Sequence, residues 1–293
     1  CTPGGQVMKI QGARSTYDLN LDYAGELAKE RERVWRGGEP AELMAKVRRI
    51  AGVRSLDELP KPSVERLGDV AQSSYHIEKL LLRPEEGIWL PALQFVPEQK
   101  AKRVVLYVHE LGKAADAAPG GRIEDLVRGG DTVLAVDLRG TGQTQAGGPP
   151  KPGAGPSVDS KGAFLAYLLG QNYVGARAED VLVCARHVVE TCDLGGKAGI
   201  HLIAVGNVGV PALHAAALEP DLFASVTISR SPCSWSNVID LGRTQGQLTN
   251  VVHGALTCYD LPNLAEMLGD KLTISDPVDA LERPMDAASV GDR

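Results

Sequence analysis

Aromatic side chains are scarce in this chain, which has three Phe, three Trp and seven Tyr among 293 residues. Its apolar content comes instead mainly from Ala, Val and Leu, and Gly is frequent at 33 residues. This composition favours an α/β interior over a β-sandwich. The length suits one large domain, or one domain with an extension, and is sufficient to bury a substantial core.

Long runs of basic or apolar residues are also missing. The chain has 31 basic and 37 acidic residues, a formal net charge of −6, and no basic run denser than the pair Arg48 and Arg49. This excludes a basic nucleic-acid-binding face of the usual kind. No apolar stretch approaches the roughly 18 residues that a transmembrane helix needs, so the sequence predicts no membrane span.

The five cysteines form no CxxC motif and no cluster with histidine, so no metal site is expected. Cys184 and Cys192 fall in one predicted helix, about 12 Å apart along its axis, which is too far for a disulfide. We therefore expect free thiols. Two explanations fit Cys1 at the first position: the lipidated N-terminus of a mature bacterial lipoprotein, or the start of a fragment, which is the simpler one. No complete phosphate-binding glycine motif is present, so no cofactor is predicted.

Residues 1–73 are predicted to be a loose tail followed by a helical extension and a linker. Helical patterns cover 18–35 and 41–50, and Pro60 and Pro62 then indicate a connector. Leu43, Val47 and Ile50 recur at helical spacing, which predicts that the second helix packs one face on the main body. The main domain is predicted to cover residues 74–293.

Strand and helix patterns alternate through the main domain. Two β-prone runs separated by a turn predict a hairpin at 75–82 and 88–96. Continuous apolar runs predict buried strands farther along, interleaved with helices at 123–127, 176–191 and 259–268; these strand runs include 104–109, 132–137, 224–228 and 271–275. The alternation predicts an α/β fold: a mostly parallel, doubly wound sheet with an N-terminal antiparallel hairpin and a helical N-terminal extension.

Residues 201–211, His-Leu-Ile-Ala-Val-Gly-Asn-Val-Gly-Val-Pro, form an apolar run that ends in a glycine-containing turn before a helix of small residues. This layout is typical of a nucleophile elbow, a sharp turn that raises one side chain above the sheet. Val205 and Gly209 occupy the positions two before and two after the apex, so the raised residue is predicted to be Asn207.

Three motifs in order resemble those of the α/β-hydrolase superfamily: Val-His-Glu-Leu-Gly at 108–112, Ala-Val-Asp-Leu-Arg-Gly-Thr-Gly at 135–142, and the elbow. The resemblance covers about residues 75 to 285. Within the superfamily, segments 259–264 and 276–279 are most similar to the acetyl xylan esterase group of bacterial secreted hydrolases. The resemblance implies an α/β-hydrolase-like fold and a secreted or cell-envelope location.

The resemblance also assigns positions in a catalytic site. Asn207 takes the nucleophile position, and Asp279 takes the acid position, with Asp276 as the competing candidate. The oxyanion-loop candidates are His109, Glu110 and Leu111 at one strand end and Val208 after the apex of the elbow. A turn-forming role beside Pro277 explains these aspartates equally well.

Two of these positions depart from the superfamily pattern. An amide such as that of Asn207 cannot be activated as an attacking oxyanion by an imidazole. The triad histidine should follow the acid, yet only 14 residues follow Asp279 and none is His, so the final strand and its histidine are missing from the pattern. His253 is the remaining candidate base, because a triad is defined by geometry and not by order.

These departures predict a catalytically degenerate, acetyl-xylan-esterase-like domain that acts as a structural or binding module, as part of a larger hydrolase. The alternative is an active carboxylic-ester hydrolase with an unconventional or externally completed triad. The expected ligand is an acetylated carbohydrate or a small ester. A partner chain or domain is also expected to cover the sheet edge beyond 271–275, since an unpaired edge exposes backbone donors and acceptors.

Overall fold

An eight-stranded sheet forms the centre of the computed structural model, which describes residues 2–148, 159–192 and 199–285. Cys1 and residues 149–158, 193–198 and 286–293 lie outside these ranges. The strands are β1 (Ser63–Ala71), β2 (Tyr75–Glu85), β3 (Ile88–Pro97), β4 (Arg103–His109), β5 (Asp131–Val136), β6 (Ile200–Val205), β7 (Phe223–Ser229) and β8 (Leu272–Ser275). They lie in the order β1-β2-β3-β5-β4-β6-β7-β8.

The sheet has an antiparallel part and a parallel part. Strands β1, β2, β3 and β5 pair antiparallel in succession, whereas β5, β4, β6, β7 and β8 pair parallel. The parallel strands β4 and β5 are almost entirely buried, as continuous apolar runs require when both faces of a strand are covered. The predicted fold class is confirmed.

Eight α-helices surround the sheet within the described residues. They are α1 (Thr16–Gly37), α2 (Pro40–Ala51), α3 (Arg122–Arg128), α4 (Ser160–Leu168), α5 (Tyr173–Thr191), α6 (Gly209–Leu218), α7 (Ser236–Leu241) and α8 (Leu261–Leu268). Apolar residues of α2, α5, α6 and α8 belong to the larger core cluster on one side of the sheet, and α3 contributes to the smaller cluster on the other. The two helical layers therefore enclose the parallel strands.

The N-terminal extension packs against the main body. Leu43 and Val47 are buried as the predicted stripe requires, and Val47 belongs to the larger core cluster. From α1, the Arg31 guanidinium donates to the Leu256 carbonyl at 2.8 Å and the Trp35 indole donates to the Cys258 carbonyl at 2.7 Å. These contacts tie the extension to the loops at one end of the sheet.

Three elements were not predicted from the sequence: β1, α4 and the six-residue helix α7, which is too short to show a helical period. Residues assigned to a connector form β1, an edge strand whose exposed Glu65, Arg66 and Asp69 hide the alternation that signals a strand. Helix α4 was not predicted because its residues are apolar on all sides and show no amphipathic period. The errors at β1 and α4 concern segments whose side chains face solvent instead of the core.

The sheet edge at β8 is short, with four residues. Beyond it Val278 forms a parallel bridge to Pro232 and an antiparallel bridge to Pro284, so the chain folds back on itself past the strand. The Asp279 backbone N–H completes this turn by donating to the Arg283 carbonyl. Residues 277–285 therefore extend the edge and pair part of it with the chain's own backbone.

The cysteines of the described segments are free thiols, as predicted: Cys184, Cys192, Cys233 and Cys258. Burial raises the pKa of the Cys184 thiol far above its usual value, with Asp180 adding a smaller contribution in the same direction. Among the helices in the described ranges, none combines the length and the apolar character that a membrane crossing requires.

Candidate functional site

The predicted elbow is present at the end of β6. The strand ends at Val205, residues Gly206–Val208 form a 3₁₀ turn, and α6 begins at Gly209. Gly206 has φ +79°, and a Cβ at this position would overlap the Glu110 carboxylate. The turn therefore requires glycine both for its left-handed backbone and for the close approach of Glu110.

Gly209 is required for a different reason. A Cβ there would overlap the Ser231 hydroxyl and the Ile228 side chain at the end of the neighbouring strand β7. Helix α6 can therefore start directly beneath the turn and pack closely against β7. This close packing leaves Asn207 at the apex, partly exposed, as the elbow pattern predicts.

The Asn207 side chain is held by two other amides. Its Oδ1 accepts a hydrogen bond from Asn250 Nδ2 at 2.8 Å and a longer one from Gln247 Nε2 at 3.4 Å. Gln247 and Asn250 are both buried, in the 3₁₀ turn Gln247–Asn250. Because both donors are fixed in the interior, they fix the direction of the Asn207 amide as well.

Some hydrogen-bonding capacity at this cluster is unused. Asn250 Oδ1 is buried and has no hydrogen-bond partner among the described residues. Within the same part of the chain, no acceptor is found for Asn207 Nδ2. Buried polar atoms are normally satisfied by protein, water or ligand, so the unpaired Asn250 Oδ1 is an exception to that rule.

Glu110 lies beside the apex and carries a second unused acceptor. Its Oε2 accepts the backbone N–H of Asn207 at 2.9 Å, and no described residue donates to Oε1. Burial raises the pKa of Glu110, outweighing the lowering by the Asn207 N–H and by Arg230, and Glu282 adds a further upward contribution. A carboxylate here opposes the negative charge that forms on the carbonyl oxygen during acyl transfer.

His109 precedes Glu110 and is almost fully buried. Its Nδ1 lies 3.0 Å from the Leu111 N–H, and its Nε2 lies 3.2 Å from the Arg230 guanidinium and 3.8 Å from the Asp116 carboxylate. Burial lowers the pKa of His109, the Asp116 charge opposes this lowering, and the Arg230 charge adds to it. The neutral imidazole therefore fixes the 109–111 loop through the Leu111 N–H. Val208, the oxyanion-loop candidate that follows Asn207 in the chain, is also buried.

Asp279 lies in the turn after β8 and its carboxylate is well satisfied. Oδ1 accepts from the backbone N–H groups of Leu281 and Arg283, and Oδ2 accepts from the Arg283 guanidinium at 2.7 Å. Burial alone would raise the pKa of Asp279, but the Arg283 side chain and these N–H groups together lower it. The competing candidate Asp276 has a left-handed backbone with φ +49°. Both arrangements are typical of turn-forming aspartates.

His253 lies elsewhere, exposed in the segment before α8. Its ring contacts the Tyr167 ring edge-on, with centroids 5.1 Å apart. Within the described residues no hydrogen bond or ion pair joins His253 to Asp279 or to a serine hydroxyl. The structure therefore brings Asn207 together with Glu110 and not with a histidine and acid pair.

The remaining acid near the apex was not identified from the sequence. Glu282 has a left-handed backbone with φ +61°, and a Cβ on Gly246 would contact both the Glu282 carboxylate and Asn207 Nδ2. Glu282, Gln247, Asn250 and Arg230 all belong to irregular segments after β7. No periodicity or motif connects them with residue 207, so only the folded chain reveals the cluster.

No site of the usual kind for a metal ion occurs in the described ranges, where no group of three or more His, Cys, Asp or Glu is suitably placed.

His214 on the elbow helix α6 is buried and packs within the core. Its Nδ1 lies 2.8 Å from the Val210 carbonyl and its Nε2 lies 2.9 Å from the Tyr259 hydroxyl. Burial lowers the pKa of His214 to about 4, so it packs as a neutral ring.

Comparison by sequence finds no matching family model, and no curated protein matches the chain. Comparison of structures does find relatives. A Bacteroides fragilis protein assigned as an acetyl xylan esterase matches with a TM-score of 0.64 and 13% identity, over 91% of this chain and 77% of that one. Acetyl xylan esterase 1 of Thermoanaerobacterium matches with a TM-score of 0.51 and 14% identity, over 98% and 96%.

An acetyl xylan esterase of Paenibacillus gives a TM-score of 0.50 at 15% identity, over 93% of this chain and 83% of that one. Identities this low support a shared fold and leave the activity open. Three features position the site in this chain: the turn after β4, the elbow between β6 and α6, and the order of the strands. The protein therefore has the α/β-hydrolase fold and is related in structure to acetyl xylan esterases.

Proposed function

We propose that this chain is a catalytically degenerate α/β-hydrolase-fold module that binds an acetylated carbohydrate or a small ester at its elbow. The observation that carries the proposal is the environment of Asn207. The apex side chain is an amide whose oxygen accepts from Asn250 and Gln247, and whose nitrogen points to no acceptor in the described chain. An amide in this position can donate to a ligand but cannot form an acyl-enzyme.

Ligand binding is favoured over a purely structural role by the unused polar atoms. Asn207 Nδ2 offers a donor and Glu110 Oε1 offers an acceptor, because no described residue pairs with either atom. Such donor and acceptor groups suit hydroxyl and ester carbonyl groups on a neutral ligand. The names of the structural relatives, acetyl xylan esterases, suggest acetylated xylose oligomers as the first ligands to test.

Hydrolysis by a serine-type mechanism is not supported by the geometry. It would require a nucleophile activated by a base and donors aimed at the developing oxyanion. The Glu110 carboxylate instead lies against the Asn207 backbone N–H. An active ester hydrolase would therefore need reactive groups that this cluster does not supply.

Isothermal titration with acetylated xylo-oligosaccharides tests the proposal. We expect measurable binding to the wild-type protein and about tenfold weaker binding to Asn207→Ala, the effect of losing one hydrogen bond of about 1.4 kcal/mol. Asn20→Ala, the same change at an exposed position on α1, is the matched control and should bind as the wild type does. Equal binding by Asn207→Ala, or no binding by the wild type, would contradict the proposal.

A further inference from the structure

Helix α4 exposes an unusual amount of apolar surface. None of its residues is buried, and five large apolar side chains in or directly after it are half exposed or more: Phe164, Leu165, Tyr167, Leu168 and Leu169. Leu169 alone is 77% exposed. At 100° per residue these side chains span about 200° of the helix circumference, and Gly162, Ala163 and Ala166 occupy the rest. A helix that is apolar on all sides is normally covered.

The helix is nevertheless fixed in place at both ends. The Asp159 carboxylate caps its first turn by accepting the Gly162 N–H at 2.8 Å, and it also accepts the Tyr173 hydroxyl from α5. At the other end, the Tyr167 ring packs against His253. These contacts hold α4 with its apolar body facing outward.

An apolar groove lies on the same face of the molecule. It has a volume of about 280 Å³ and lies between α1 and the segment from Trp235 to Thr257. Its walls include Tyr23, Leu27, Val238 and Ile239. Val251 lines the groove, and Leu248 lies in the 3₁₀ turn that contacts α4; both are exposed. They connect the groove and the helix into one continuous surface.

We propose that this surface is the interface of a two-fold dimer, in which apolar side chains of α4 from each copy enter the groove of the other. The groove and the projecting helix are complementary in character, and a two-fold axis between them would bury both at once. Residues 162–170 carry no charged side chain, so two copies can approach here despite the net charge of −6.

The area is sufficient for this assembly. Each half-exposed large side chain offers about 100 Å², so the five residues of the α4 segment offer roughly 500 Å². The groove and the two connecting residues bring the total near the ~800 Å² per partner of a standard specific interface. A patch of this size on a lone monomer would exceed the roughly 300–600 Å² that is usual for the largest apolar patch.

Light scattering coupled to size exclusion tests the dimer over a concentration series. We expect the wild-type protein to have twice the chain mass of 31.1 kDa, and Leu165→Glu/Leu168→Glu to have the single chain mass. Leu67→Glu, at an exposed apolar position on β1, is the matched control and should remain dimeric. An unchanged melting temperature in the double variant would show that loss of the dimer is not unfolding.

Mixing variants tests the arrangement. Tyr23→Glu alters the groove and should also be monomeric, yet an equimolar mixture with the α4 double variant retains one intact helix–groove contact. We expect the mixture to contain more dimer than either variant alone. The proposal would be overturned by a monomeric wild type, by a dimer that the α4 changes do not affect, or by a mixture with no more dimer than the separate variants. Co-sedimentation of a monomeric wild type with phosphatidylcholine vesicles would also overturn it, because the apolar surface would then bind lipid.

Discussion

Asp137 and Glu110 are two carboxylates at the same end of the sheet with opposite environments. Asp137, after β5, accepts the Lys113 ammonium and backbone N–H, each at 2.6 Å, and the Gln143 N–H at 2.9 Å. Glu110, after β4, has one N–H donor, and burial raises its pKa. Both oxygens of the Asp137 carboxylate accept hydrogen bonds that stabilise the fold. Glu110 Oε1 accepts none from a described residue, and the buried environment of this side chain disfavours its charged form. A polar site of this second kind is typical of a functional position.

The largest effect is expected from removing the satisfied carboxylate. Asp137→Ala would leave the Lys113 ammonium, whose side chain is only 10% exposed, without its counter-charge. Breaking one partner of a buried pair costs about 3–5 kcal/mol in the free energy of unfolding. Urea denaturation measures this loss. Asp137→Leu/Lys113→Met removes both charges but leaves the backbone N–H groups of Lys113 and Gln143 without their acceptor, so it should recover only part of the stability. A loss below about 1 kcal/mol in Asp137→Ala would contradict the difference between the two carboxylates.

A smaller loss is expected at the elbow glycine. Gly206→Ala combines the strain of φ +79° with overlap of the Glu110 carboxylate, and should cost about 2–4 kcal/mol. Gly87→Ala is the matched control, because Gly87 has the same φ but open space around its Cβ position, and it should cost only about 1 kcal/mol.

The steric part of this effect can be isolated. Adding Glu110→Ala to Gly206→Ala removes the carboxylate that the new methyl group would meet, so the double variant should recover the difference between the two glycine substitutions. If Gly206→Ala and Gly87→Ala lower the free energy of unfolding by the same amount, the Glu110 carboxylate does not contact the turn, and the described site geometry is wrong.

The smallest effect concerns the charge of Glu110. Because its pKa is raised in the folded protein, the folded state binds more protons than the unfolded state between the usual and the raised pKa, and stability falls as the pH rises through this window. Glu110→Gln should therefore be more stable than the wild type above the window, with the difference shrinking as the pH falls below it. Melting temperatures across a pH series measure this, and a difference that grows toward low pH would contradict the raised pKa.

The sequence was informative wherever the residues repeat with a period or form a local motif. Apolar runs identified β4, β5 and β6, and the glycine-flanked turn placed Asn207 at the apex, because both signals lie within a few consecutive residues. The partners of Asn207 lie 40 and 43 residues away in irregular turns, where no period exists. The roles of Asp279, His253 and Val208 stay predictions. Edge strand β1 and exposed helix α4 were missed because neither has one apolar and one polar face.

Hydrolysis of a chromogenic acetyl ester tests the central claim, that the elbow binds without acyl transfer, most directly. We expect the wild-type protein to release the chromophore at the background rate, and Asn207→Ala to leave this rate unchanged. Turnover well above background that disappears in Asn207→Ala, and persists in Asn20→Ala, would contradict it.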